Sequence, residues 1–219
     1  PMMRNLYDET MLVAIRDMLR GFYQTVKLDG AHLKFVFITG VTKFSQLSIF
    51  SELNNLCQIS MDDRFSGICG ITQKELDTVL RPCIEEYAKD MNIAVDEAYA
   101  QLKKNYDGYH FSAKSEDVYA PFSLFRALDS RTMRHFWFES ATPTALIEHL
   151  RHFPRFNPLD FDGIELALEE FNVPCESART PFPLLYQSGY LTIDFYDQQL
   201  DSYTLHFPNR EVRHGMVYG

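Results

Sequence analysis

KFVFITGVTKFSQLSIFSELNNL, residues 34–56, is the stretch from which the fold class is read. It opens with the apolar run Phe35-Val36-Phe37-Ile38, rich in aromatic and β-branched residues, which predicts a buried strand. Thr39 and Gly40 close the run, Val41 to Ser45 form a polar turn, and a helix follows with Leu47, Ile49, Phe50 and Leu53 on its apolar side. A strand that hands Thr39, Thr42, Lys43 and Ser45 to a turn ahead of a helix sits where open α/β sheets place ligand-contacting groups. An ordinary strand–turn–helix with a solvated turn reads equally well from these residues alone.

Upstream, Leu12, Ile15, Leu19, Phe22 and Val26 recur at three-and-four spacing, which predicts a helix from about Asp8 to Lys27. Asp8 and Glu9 suit the positive end of its dipole. Asp29-Gly30 then turns the chain into the strand. Helix, turn, strand, helix is the repeat of a parallel sheet with crossover helices. The chain begins at Pro1 and enters a helix almost at once, so we expect a piece cut from a longer protein.

The 219 residues are 46% hydrophobic and 14% aromatic, enough for a real core in one large domain or two small ones. A net charge of -9 argues against bulk nucleic-acid binding while leaving room for a local basic patch. The cysteines, Cys57, Cys69, Cys83 and Cys175, form no CxxC pair and read as free thiols of a reducing cytoplasm. No apolar run reaches the length of a membrane span.

Downstream, Cys57 to Met61 alternates like a short strand, and the glycines from Ser66 to Gly70 mark a loop. Thr72-Gln73-Lys74-Glu75 is a capping box opening a helix. Pro82 starts or kinks a second helix, and Asp96 opens a third that runs to Tyr106. Residues 72–106 are thus a helical block. Asp107-Gly108 is a hairpin signal. Val118 to Pro121 is extended, Ser123 to Leu128 a short helix, and Thr144 to Arg151 another. Leu159 to Phe171 predicts an acidic helix, and Leu184 to Gly189 a helix stopped by its glycine. Leu191 to Tyr196 and Tyr203 to Phe207 alternate as strands, which gives the tail a winged-helix shape.

The residues contain no complete active site. GxxxxGK[ST], GxGxxG and a nucleophile elbow are all missing. His149 and His152 lie three apart on one helix but lack the HExxH form, and no metal site is expected. Adjacent acids such as Asp62-Asp63 do not share a helix face and read as solvated surface.

The runs FVFITGVTKFSQLSIFSELNNL and ISMDDRFSGICGITQKEL are followed in order by NYDGYHFS, VYAPFSLFRAL, FWFESATPTALI, LLYQSGYLTI and LHFPNREVR. Together they closely resemble the bacterial AAA-ATPase-like family. The resemblance implies a helix-rich, mixed α/β chain. The C-terminal part of a P-loop NTPase core would occupy residues 1–65, a helical lid 66–152 and a winged-helix-like tail 153–219. It implies a parent that binds and hydrolyses ATP with Mg²⁺. The Walker A and B segment would lie upstream and a nuclease-like domain of the PD-(D/E)XK type downstream, leaving this segment inactive and without a cofactor of its own.

Within the segment, the resemblance makes Thr39 the first and Thr42 the second candidate for sensor 1, the polar strand end that contacts the γ-phosphate or the attacking water. It makes Lys43 and Thr142 candidate nucleotide contacts. Thr142 falls in Ser140-Ala141-Thr142-Pro143, where the family motif reads SGTP and this chain replaces the glycine by Ala141. Ala120 likewise replaces the asparagine of the family's Tyr-Asn-Pro-Phe, and Tyr119, Pro121, Phe122 and Trp137 read as packing residues. Arg64 and Arg81 are weaker candidates for trans-acting arginines. The alternative of another class is a non-catalytic module whose winged-helix region contacts a protein or nucleic acid.

Overall fold

A computed structural model describes residues 8–40, 57–137, 148–153, 155, 157–175 and 178–218. In chain order its elements are α1 (Glu9–Leu28), β1 (Ile71–Thr72), α2 (Gln73–Thr78), α3 (Arg81–Met91), α4 (Val95–Tyr106), β2 (Val118–Tyr119), α5 (Pro121–Ser130), β3 (Ile164–Ala167), α6 (Leu168–Phe171), α7 (Phe182–Gln187), β4 (Thr192–Asp197), β5 (Ser202–His206) and α8 (Arg210–Tyr218). The class is mixed α/β with helices in the majority. Two units are distinguished, one of residues 1–58, 144–153 and 169–188, the other of 59–143, 154–168 and 189–219.

In the first unit α1 forms as its periodicity requires. Leu12 is buried, and Ile15, Leu19 and Tyr23 pack half-buried against it. Phe22, expected on the same face, is exposed, its ring meeting that of Tyr23 edge-on at 5.3 Å. The predicted strand Phe35–Ile38 is not one. Those residues are irregular, Phe35 is 80% and Phe37 48% exposed, and the two rings stack on each other at 6.5 Å. A strand exists only by pairing, and no described strand pairs with this run. The helix expected after it lies outside the described residues. The 169–188 segment is better packed. Phe171 meets Tyr186 edge-on at 4.7 Å, and Gln187 Nε2 donates to the Val173 carbonyl at 2.6 Å.

The second unit holds the larger core. Thr72 caps α2 as the sequence signals. Its hydroxyl accepts the Glu75 N–H, and the Glu75 carboxylate accepts the Thr72 N–H at 2.9 Å. That bond holds the Glu75 pKa below its ordinary value. Pro82 sits in the first turn of α3, where its missing N–H costs nothing. The helix ends at Asn92 in the left-handed region, φ 54°. Leu76, Ile84, Leu102, Tyr106, Leu124 and Phe136 meet in one apolar cluster from α2 to the segment after α5. The Tyr106 hydroxyl donates to the Arg134 carbonyl at 2.8 Å, which lets a phenol stay buried there. Arg131 reaches back from the end of α5 to α3, bonding Glu86 at 2.8 Å and the Cys83 carbonyl at 3.2 Å.

Both sheets are antiparallel, and no parallel pair occurs among the described residues. β1 pairs with β2 over two residues each, and an isolated bridge joins Tyr109 to Val118. The second sheet has the order β3-β5-β4. Its centre is β5, where Tyr203 and Leu205 point inward by alternation. Three expectations fail here. Cys57–Met61 forms no strand and leads into a 3₁₀ turn at Asp63–Phe65. Asp107-Gly108 does not close a two-residue hairpin, because α4 runs up to Tyr106 and the bridge partner lies nine residues on. The acidic helix over 159–171 is instead a 3₁₀ turn at Pro158–Phe161, the strand β3 and the single turn α6. Gly163 at φ 85° ends the turn, and from there Ile164, Glu165 and Leu166 alternate.

Candidate functional site

Of the residues proposed to read a phosphate, Thr39 is described. It is exposed on the irregular stretch that follows Phe35–Ile38. Thr42, Lys43 and Thr142 lie outside the described residues. The arginines considered as trans-acting groups are engaged locally. Arg64 bonds Asp62 at 2.6 Å and holds that carboxyl at a pKa of about 2, and Arg81 bonds Glu85 at 2.9 Å one helical turn on. Tyr119 is buried and Trp137 packs, as read from the sequence, whereas Phe122 is exposed.

His149 is buried in the first unit, edge-on to Phe153 at 5.1 Å. Burial first, and the nearby His152 second, lower its pKa from 6.5 to about 4. Between those values the unfolded chain binds a proton that the folded chain refuses. Stability from this group is therefore complete above pH 6.5 and declines as pH falls toward 4, by up to about 3 kcal/mol. Urea midpoints measured across that range are expected to fall, and a His149→Gln variant to flatten the fall. Equal slopes in both proteins would refute the assignment. Among the described residues no group of three or more His, Cys, Asp or Glu side chains stands close enough to hold a metal ion.

The densest polar construction is in the second unit, and it joins segments that the sequence keeps far apart. Asn209 is its centre. Its Oδ1 accepts the Val212 N–H at 3.1 Å and so caps α8, while its Nδ2 donates to the Asp107 carbonyl at 3.1 Å. Next to that carbonyl, Gly108 at φ 96° lies so close to Pro208 that a Cβ would stand 2.0 Å from the Pro208 carbonyl oxygen. The Asp107 side chain is itself buried, 3.4 Å from Lys103. Burial raises its pKa, against the lowering effect of the Gly108 amide and of Lys103. Thr192 makes a second tie to the same segment, its hydroxyl donating to the His110 carbonyl at 2.9 Å and accepting the His110 N–H at 2.8 Å. The buried Glu211 accepts the Trp137 N–H at 2.8 Å. Trp137 in turn packs against Tyr109 and Tyr190, with Gly189, φ 79°, beneath its ring. His110 Nδ1 is 3.0 Å from Asp117, whose carboxyl it holds below the ordinary range.

Above this knot an open cleft of about 450 Å³ is lined by Lys104, Asp162, His206, Phe207, Asn209, Arg210 and Arg213. Arg213 is 3.6 Å from Asp162, and the Asp162 carboxylate also accepts the Phe207 N–H at 3.3 Å. Chemically the cleft suits an anion. Sequence reading missed it. The cap was visible, because asparagine ahead of Arg-Glu-Val is an N-terminal helix signal. Nothing local indicated that Lys104 and Asp162 stand beside it.

The family described as "AAA-ATPase_like: Predicted AAA-ATPase" matches the start of the chain, over residues 1–50. Residues 1–50 carry the AAA-ATPase-like signature. The AAA-ATPase-like segment thus takes in α1 and the apolar run at Phe35–Ile38. A protein of Azotobacter chroococcum mcd 1, named "Uncharacterized protein in vnfD 5'region", is 34% identical over 220 residues, which is 97% of this chain. The chain spans 39% of that relative's length. No solved structure matches.

Proposed function

We propose that the chain is part of an AAA-type ATPase whose parent binds and hydrolyses ATP. The observation that carries this is the AAA-ATPase-like match over residues 1–50. The similarity to a relative more than twice as long supports a parent of several segments. On this reading residues 1–65 complete a P-loop core, 66–152 form a lid and 153–219 a winged-helix-like tail. The helical cluster of α2 to α5 and the β4–β5 hairpin after α7 suit those roles.

Thr39, or Thr42 after it, serves as sensor 1 on this reading, its hydroxyl orienting the attacking water by a hydrogen bond. Lys43 supplies a point charge to phosphate oxygens, and Thr142 meets the nucleotide at a helix start. The family resemblance assigns the Mg²⁺ ligands to the Walker segment of the parent, and on this reading the part of this chain is confined to the residues just named.

Because the sequence has no GxxxxGK[ST], the 219-residue chain is expected not to bind ATP. Titration with a labelled, non-hydrolysable ATP analogue checks this, and micromolar affinity would sink it. A longer protein carrying the upstream segment is expected to turn ATP over. Its failure to do so would favour the non-catalytic interaction module.

A further inference from the structure

We propose that the cleft formed by Lys104, His206, Asn209, Arg210 and Arg213 binds the phosphate backbone of a nucleic acid. The proposal does not depend on the ATPase reading and uses none of the residues named there as nucleotide contacts. Three permanent cations, on α4 and α8, face one carboxylate, Asp162. The cleft is thus net positive on a chain whose total charge is -9. Helix electrostatics account for Lys104 but not for the two arginines. Lys104 is in the last turn of α4, where the dipole favours a cation. Arg210 and Arg213 are in the first turn of α8, where the dipole disfavours one, and lie three apart on a shared face. Asp162 stands close to Arg213 alone, at 3.6 Å. Two arginines at the positive end of a helix, converging with a lysine from another element, are explained by an anion that all three reach.

The form of the cleft selects the kind of anion. It is open, whereas small-molecule sites enclose most of their ligand. A backbone phosphate needs only to be touched along one edge, and a polymer repeats the contact. Phe207 is buried and offers no ring for a base to stack on, and contacts from cations to backbone phosphates carry no sequence information, so recognition is independent of sequence.

Fluorescence anisotropy of the whole 219-residue chain with labelled oligothymidylate, and separately with a short duplex, tests the proposal. At least one probe is expected to bind at low salt. The logarithm of affinity is expected to fall with that of salt with a slope of about −2 for the single strand or about −3 for the duplex, as three cations require. In the double variant Lys104→Gln, Arg210→Gln affinity is expected to drop at least tenfold with an unchanged Tm. The control pair Lys89→Gln, Arg126→Gln, on other surfaces, is expected to bind as the parent does. The proposal is overturned if neither probe binds, if the double variant binds equally well, or if inorganic phosphate displaces the oligonucleotide at matched phosphate concentration. The last outcome would make the cleft a site for free phosphate.

Discussion

Gly108→Ala is expected to lower the stability of the second unit by about 3 kcal/mol or more and its Tm by about 10 °C. Two terms add. The backbone sits at φ 96°, a region that only glycine enters without strain, and the new methyl group would stand 2.0 Å from the Pro208 carbonyl oxygen. The obstacle is backbone, held by the Asn209 cap directly after it, so it cannot swing aside as a side chain would. Gly163 separates the terms. It has φ 85° with nothing within 4 Å of an added Cβ, so Gly163→Ala measures strain alone and should cost about 1 kcal/mol. Thermal melts of both variants decide the matter. Equal losses would mean that the contact between the 107–108 turn and Pro208 is not held in solution.

Asn209→Ala is expected to cost about 2–4 kcal/mol. The cap on Val212 is lost, worth about 1 kcal/mol, and the Asp107 carbonyl is left buried without its donor, a further 1–3. Asn209→Ser separates the two roles, because serine caps a helix nearly as well but lacks the second donor. About 1 kcal/mol of the loss, a quarter to a half of it, should therefore return in the serine variant, read as ΔG from urea unfolding. A serine variant no better than alanine would place the whole effect on the bond to Asp107. The Gly108 and Asn209 changes disturb one contact and are expected to combine less than additively.

The parts that were legible in the sequence carry their cause within a few residues. Thr72 with Glu75, Pro82 at the start of α3 and Gly189 after α7 are local signals that tertiary contacts did not override. The alternation of Leu191 to Tyr196 and Tyr203 to Phe207 likewise became β4 and β5, within a residue or two at their ends. Phe35–Ile38 was misread because apolar β-branched composition marks a segment fit for a sheet, while the sheet itself must come from elsewhere. β3 was missed because Ile164, Leu166, Leu168 and Phe171 satisfy helical and strand spacing alike, and pairing with β5 chose between them. The polar knot was illegible for a different reason. Its bonds join Asn209 to Asp107, Trp137 to Glu211 and Thr192 to His110, and no window of sequence contains both partners.

Those separations, 102, 74 and 82 residues, also set an order of assembly. On a ribosome, α2 to α5 emerge and can collapse through near-neighbour contacts before any strand of the β3-β5-β4 sheet has been made. The Asp107 carbonyl and both backbone groups of His110 must wait in water until Thr192 and Asn209 have been made and close the loops. Synthesis that stops short of Asn209 therefore yields a helical intermediate whose most polar interior surface is still open, the kind of species on which chaperones and proteases act.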